Sequence, residues 1–272
     1  MVSLVWVVGD IHGCFSALKA LEDKIELECE RRGRSAFIVS VGDLIDRGPD
    51  SRSVVQHFID GARAHTHAVV MGNHEMMLLR CLWDERPELL DGVTLPAYVE
   101  PFEVAVKARP RFPEMGTTED WLIFNRLMWL SQGGAETIES YGCDPKDLAS
   151  WSFTEDHLRF IASLPIYWED ENAVVTHALA TSKDLDSLRS DTPEVEASMS
   201  ALWTRRLPSE APDPERVHVS GHSIRGRVGR CGRRKLVRID LGAYCEGRLA
   251  AFCPELNKTV SVSTDVRWRR GH

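Results

Sequence analysis

No apolar run in these 272 residues approaches the ~20 that a membrane-spanning helix requires. The apolar opening stretch breaks at Gly9-Asp10, with no basic segment ahead of it. A cytoplasmic protein with no membrane partner is therefore expected. Paired cysteine is also missing: the seven cysteines are an odd number and no Cys-x-x-Cys occurs. That speaks against a disulfide framework and a thiolate zinc site, and leaves free thiols of the buried or half-buried kind. Repeats and low-complexity tracts are absent. With 43% hydrophobic and 27% charged residues, the composition excludes disordered, collagen-like and coiled-coil chains. A single domain over 1–272 is expected, long enough to bury a sizeable core. The net charge of −8 argues against nucleic acid as a partner. The charge is uneven: residues 1–200 hold 18 Lys and Arg against 34 Asp and Glu, whereas residues 201–272 hold 15 against 7. A basic C-terminal quarter on an acidic body points to an anion handled near that end.

What is present is a rhythm. Leu4–Val8 reads as a buried strand, and Leu18, Leu21, Ile25 and Cys29 recur at helical spacing before Gly33. Ala36–Val41 reads as a second strand, 52–64 as a helix, and His67–Met71 as a third strand, with Met76, Met77, Leu79 and Leu82 opening another helix. This alternation predicts an α/β fold with ligands at the strand ends. Residues 84–116, with Pro87, Pro96, Pro101, Pro110 and Pro113, break the rhythm and read as an inserted loop or lid. Helices are expected near 118–130 and 134–141, and a Ser152/Glu155 capping box before Leu158 and Ile161. Ala173–Thr176 and Val217–Ser220 read as strands. So do Leu236–Asp240, Arg248–Phe252 and Thr259–Val262, in a mixed or antiparallel sheet.

Five apolar strands thus run into polar loops: Gly9-Asp10-Ile11-His12-Gly13, Gly42-Asp43-Leu44-Ile45-Asp46-Arg47-Gly48, Gly72-Asn73-His74-Glu75, Thr176-His177-Ala178 and Gly221-His222-Ser223. Taken singly, Asp10 could cap a helix, and Asn73 or His222 could be a turn residue. The recurrence converges carboxylates, imidazoles and one amide on a single sheet edge. Oxygen and nitrogen donors of this kind suit manganese, iron or zinc. Glycine before a ligand lets the backbone turn tightly. Six ligands (Asp10, His12, Asp43, Asn73, His177 and His222) exceed one tetrahedral ion and fit two ions sharing a carboxylate, an arrangement suited to phosphate ester hydrolysis.

This series resembles the phosphoprotein-phosphatase family of the metallophosphoesterases. Trp129-Leu130-Ser131-Gln132-Gly133-Gly134, Ser140-Tyr141-Gly142 and Ile239-Asp240-Leu241-Gly242-Ala243 are similar to its bacterial members. The resemblance implies a calcineurin-like α/β fold: a four-layer αββα sandwich of two mixed sheets with metals at the strand carboxyl ends. It implies two divalent ions per chain, manganese first, with iron or zinc as alternatives. Asp10, His12 and Asp43 would hold one ion; Asp43 would bridge to a second on Asn73, His177 and His222. His74 would be the general acid, oriented by Asp46. Arg47 would fork onto phosphate oxygens, with Asn73 at the substrate and Arg205 of Trp203-Thr204-Arg205 as a second phosphate contact. Protein phosphatases usually carry an arginine where this chain has Met71.

The expected activity is hydrolysis of phosphoserine or phosphothreonine in a phosphorylated protein or peptide. The alternative is symmetrical hydrolysis of diadenosine tetraphosphate, a dinucleoside polyphosphate. Asp46 and Glu75 side with the first, the apolar residue before Gly72 with the second. A catalytically dead, phosphoprotein-binding scaffold would need lost ligands, and none is lost. The basic segment 225–238 reads as a solvated hairpin. His57, His65, His67, His157 and His218 match no motif and read as structural.

Overall fold

The computed structural model describes residues 3–99, 118–245 and 247–268. Two five-stranded mixed sheets lie face to face. The first runs in the order β10-β9-β1-β2-β3, built from β1 (Leu4–Val8), β2 (Ala36–Ser40), β3 (His67–Val69), β9 (Arg248–Cys253) and β10 (Lys258–Ser263). The second runs β4-β5-β6-β8-β7, from β4 (Tyr167–Glu169), β5 (Ala173–Thr176), β6 (Val217–Ser220), β7 (Gly229–Cys231) and β8 (Leu236–Arg238). In each sheet three parallel strands carry antiparallel strands at their margins.

The period of two along each strand sorts the side chains between layers. Val7 and Val39 pair in register, as do Val175, Val219 and Val237. With Val41, Val70, Ile239 and Phe252 they fill the space between the sheets. Leu4, Trp6 and Val8 face the other way, into helices α1 (Phe15–Glu30) and α2 (Ser51–Arg63). On the second sheet Val174 belongs to the helix-side core with Leu185 and Leu188 of α7 (Ser182–Leu188) and Ala197 and Ala201 of α8 (Val195–Trp203). The layer order is helix, sheet, sheet, helix, as the family resemblance implies.

Between the sheets in sequence lie α3 (Asn73–Glu85), α4 (Thr118–Trp129), α5 (Ala135–Ser140) and α6 (Glu155–Ala162). A π-turn, Leu130–Gly134, joins α4 to α5. Within the expected insert, Pro87–Leu90 and Ala97–Val99 form single 3-10 turns that bury Leu90 and Val99; residues 100–116 lie outside the described residues.

Some expectations need correction. The Ser152/Glu155 capping box does not form: Thr154 is the N-cap, without a side-chain bond, and the Glu155 carboxylate is taken by Arg159 one turn on, at 2.8 Å. The C-terminal strands do not share one sheet. β8 runs parallel to β6 in the second, while β9 and β10 complete the first. Strands β4 and β7 went unread. Segment 225–238 is a hairpin whose Arg230 is exposed and packs over Phe252, but Arg238 is buried.

Leu21, fully buried beneath the first sheet, should cost ~2–5 kcal/mol when cut to alanine, because its cavity can only partly collapse. Urea unfolding of Leu21→Ala should show that loss with an unchanged m-value.

Candidate active site

Asp10, Asp43, Asn73, His177 and His222 follow the carboxyl ends of the parallel strands β1, β2, β3, β5 and β6. Topology alone therefore gathers them along one edge. All five are buried, as are His12, Asp46 and His74. Asp43 occupies the centre: one carboxylate oxygen lies 3.3 Å from His12 Nε2, the other 3.5 Å from His177 Nε2. Asn73 Oδ1 lies 2.8 Å from His177 Nε2 and 2.9 Å from His222 Nδ1. Asp10 accepts the backbone N–H of His222 on both carboxylate oxygens.

The backbone bends sharply here. His12, Asp43, Asp46, Arg47 and His222 all adopt positive φ, between 46° and 73°. Non-glycine residues in this region carry strain of order 1–3 kcal/mol each and persist where surroundings over-determine them. The glycine expectation needs amending accordingly. Of the glycines preceding ligands, only Gly42 has positive φ. Gly72 and Gly221 are required for space: a Cβ on Gly72 would overlap the Asp43 amide and the Glu75 carboxylate, and one on Gly221 would overlap Asp10.

Glu75 fixes the loop. Its carboxylate is fully buried and accepts the backbone N–H groups of Asp43 (2.9 Å), Leu44 (2.8 Å), Ile45 (3.2 Å) and Gly72 (3.1 Å). Burial raises the Glu75 pKa, opposed by these amides. The motif letter was visible in sequence, but its partners 30–32 residues upstream were not.

His74 and Asp46 meet at 2.6 Å, Nδ1 to Oδ2. Trp129 Nε1–H donates to the same Asp46 oxygen at 3.0 Å, and the Thr137 hydroxyl to the other at 2.6 Å. Thr137 and Ser51 accept the Asp46 N–H. Burial pushes His74 well below the usual histidine range, assisted by the Arg47 guanidinium, and pushes Asp46 well above the usual carboxylate range. Both directions have one cause: burial penalises the ionised form of either partner.

Arg47 donates to His12 Nε2 and to His74 Nε2, the latter at 2.8 Å. Its stem is held by the π-turn: Arg47 N–H donates to Gly133 and Arg47 Nε–H to Gln132. Gly133, at φ 109°, has no room for a Cβ against the Arg47 backbone. Tyr244 and Trp268 stack on the guanidinium, at 4.3 and 5.5 Å. Arg205 is exposed yet reaches the site, its Nε–H donating to His222 Nε2 at 3.2 Å. Sequence reasoning gave no role to Thr137, Tyr244 or Trp268 and carried Trp129 and Asp240 only inside motifs; the paired glycines beside Trp129 were the available signal. Met71 is wholly buried and contributes nothing polar.

The donor set fits a pair of cations. His12 and His177 donate Nδ1–H to the carbonyls of Ile45 (2.8 Å) and Val41 (2.9 Å), which leaves each Nε2 lone pair facing Asp43. Burial holds both rings, and His222 at about 4, on the neutral side. Burial also raises Asp10 and Asp43 well above normal, followed by the Asp240 carboxylate for Asp10 and Glu75 for Asp43. Asp240 itself is raised by burial to about 6. Neutral imidazoles and uncompensated buried carboxylates are what a divalent cation satisfies at once. Donor atoms of Asp10, Asp43 and His177, and of His12, Asp43 and His74, lie mutually within 4.8 Å.

The calcineurin-like phosphoesterase family model matches residues 3–226. The chain belongs to this family. Metallophosphoesterases of this family use a dinuclear metal centre, and the His and Asp groups gathered here could hold metal. It is similar to serine/threonine-protein phosphatase 1 of Salmonella typhimurium, 49% identical over 75 residues, covering 28% of this chain and 31% of that protein. It is also similar to the symmetrical bis(5'-nucleosyl)-tetraphosphatase of Cellvibrio japonicus, 28% identical over 61% of this chain and 60% of that protein. Its counterpart from Baumannia cicadellinicola is 23% identical over 96% and 93% of the two chains. The match thus spans less than two thirds of the first two relatives. A crystal structure provisionally described as a diadenosine tetraphosphatase shares the fold, with a TM-score of 0.52 and 19% identity over 96% of this chain and 94% of its own. No helix among the described residues is long and apolar enough to cross a membrane.

Glu75→Gln should leave at least one loop amide facing an N–H donor instead of an acceptor. A buried unsatisfied donor costs ~1–3 kcal/mol. The variant should melt lower and retain less than half the wild-type metal on elemental analysis after gel filtration.

Proposed function

We propose that this phosphoesterase is a dinuclear-metal phosphomonoesterase acting on phosphoserine and phosphothreonine in proteins. The observation that carries the reading is the His74–Asp46 pair, buried, 2.6 Å apart and fixed by Trp129 and Thr137. A general acid serves most where the leaving group is poor. A serine or threonine alkoxide is poor; a nucleotide phosphate is much better and gains less from a proton donor. The local likeness to serine/threonine-protein phosphatase 1 supports the same reading.

Asp10, His12 and Asp43 would hold one ion, and Asp43, Asn73, His177 and His222 the other. When bound, the ions, manganese in the first instance, supply Lewis acidity toward the phosphoryl oxygens and lower the pKa of a water. The protein does the rest. Arg47 offers its planar fork to the phosphoryl oxygens, pre-oriented by the Tyr244 and Trp268 faces and the Gly133 turn. Phosphate oxygens compete for the same N–H groups that now meet His74 Nε2, so binding frees that nitrogen to carry a proton. Asp46 orients the ring and balances its charge as the proton passes from Nε2 to the departing oxygen. Arg205, at the exposed rim, adds a second guanidinium, and Asn73 lies where the phosphoryl group meets the centre. The location proposed is the cytoplasm.

A second reading is symmetrical hydrolysis of a dinucleoside tetraphosphate. It is favoured by the relatives matched over most of this chain and by Met71, which leaves Arg47 and Arg205 as the guanidinium contacts.

His74→Asn should lower turnover on a phosphothreonine peptide by ~10²–10⁴ while metal content stays at the wild-type level. Nitrophenyl phosphate should suffer far less, because its leaving group needs no proton. Equal losses on both esters would contradict the role.

The substrate is decided by kcat/KM for a phosphothreonine peptide against diadenosine tetraphosphate with manganese. The peptide is expected to win; a hundredfold preference for the dinucleotide would establish the second reading.

A further inference from the structure

At the amino end of β3, away from the dinuclear centre, three side chains from separate elements converge: Glu22 of α1, His57 of α2 and His67 at the start of β3. His57 Nε2 lies 2.8 Å and His67 Nε2 3.2 Å from the same oxygen, Glu22 Oε1. We propose that Glu22, His57 and His67 form a further metal site, for one borderline divalent ion of which zinc is the best fit.

The donor chemistry is right: two imidazoles and a carboxylate are a common zinc set, with a fourth position left for water. With metal–ligand bonds of ~2.0–2.1 Å, a tetrahedral site sets its donors ~3.3 Å apart. The two histidine–carboxylate separations, 2.8 and 3.2 Å, lie within about half an ångström of that, and all three donor atoms lie within 4.8 Å of one another. The side chains are 13%, 20% and 12% exposed for Glu22, His57 and His67, which keeps a path open for an ion and a water.

The surroundings hold the rings in place. The His57 and His67 rings meet edge to face at 5.0 Å, with Phe15 against His57 and Phe58 against His67. Gly61 leaves the space that the His67 ring fills; any Cβ there would overlap it. The Thr66 hydroxyl donates to the Gly61 carbonyl at 3.2 Å and lies 2.8 Å from His67 Nδ1. His67 Nδ1–H is then the donor to Thr66, and Nε2 is the ring nitrogen that faces Glu22. The Nδ1–H to hydroxyl bond is the outer contact typical of a metal-bound histidine. Burial would raise the Glu22 carboxyl, but the bonds from His57, His67 and Lys19 hold it well below the usual range, as an anion. Lys19, about half exposed, sits on the other carboxylate oxygen at 2.9 Å and can swing away. A bound ion would clip α1, α2 and β3 together.

The test is a metal count. Wild type, Glu22→Gln, His57→Gln and His67→Gln are incubated with excess zinc chloride, gel-filtered and analysed for zinc per chain. Wild type should hold one zinc more than each variant, and zinc beyond the dinuclear centre should raise the wild-type Tm alone. Turnover with manganese reports that the variants are folded. Lys19→Ala keeps all three donors and removes a competing cation. Losing an exposed ion pair is worth a factor of roughly two to five, so zinc should bind this variant more tightly by that factor. Equal zinc counts in wild type and His57→Gln, or unchanged zinc affinity in Lys19→Ala, would overturn the proposal.

Discussion

One buried carboxylate organises the site. Glu75 takes the amides of Asp43, Leu44, Ile45 and Gly72 together, so the loops after β2 and β3 close onto a single point of negative charge. Without it, the positive-φ turn at Asp43 would lose the acceptor for its own N–H and for the two that follow. Asp43 would not stand between the two halves of the donor set, nor Asp46 beneath His74. Those oxygens are not available to a metal, because four N–H groups already hold them. The carboxylate that binds nothing foreign is the one that positions those that can.

Around that point the charges divide by depth. Asp10 and Asp43 lie where burial disfavours their ionised form, and the imidazoles lie where burial keeps them neutral. Arg47 and Arg205 enter from the rim, one stacked on aromatic faces and the other exposed. Positive charge is thus supplied from the solvent side and negative charge from the sheet side, with the phosphoryl position between. The basic bias of the C-terminal quarter contributes Arg205 to this arrangement, whereas the 225–238 segment is spent on the hairpin.

The strand-end loops were legible because each motif is local: a strand, a turn and a ligand within a few residues. The sheet edge then brings the motifs together by topology, so Asp10, Asp43, Asn73, His177 and His222 converge without any contact having to be foreseen. The supports were not legible for the opposite reason. Thr137 and Trp129 meet Asp46 across 91 and 83 positions, and Tyr244 and Trp268 reach Arg47 from the far end of the chain. Nothing in a window around Asp46 encodes such partners. Short strands fail for want of signal: β4 and β7, three residues each, are too brief to show a period. The Ser152/Glu155 pattern misled because Arg159 offers Glu155 a charged partner that outcompetes a backbone amide.

The His222 amide closes on Asp10 across 212 positions, and β1 pairs with both β2 and the late strand β9. During synthesis at ~5–20 residues per second, that separation is an interval of roughly ten to forty seconds. Throughout it the Asp10 and Asp43 loops exist without the histidines that complete them, and β1 has one open edge. A ribosome-bound chain therefore presents acidic, partly assembled loops but no finished centre. The wait is written into the order in which the residues are made, and the centre stays incomplete until His222 has left the ribosome.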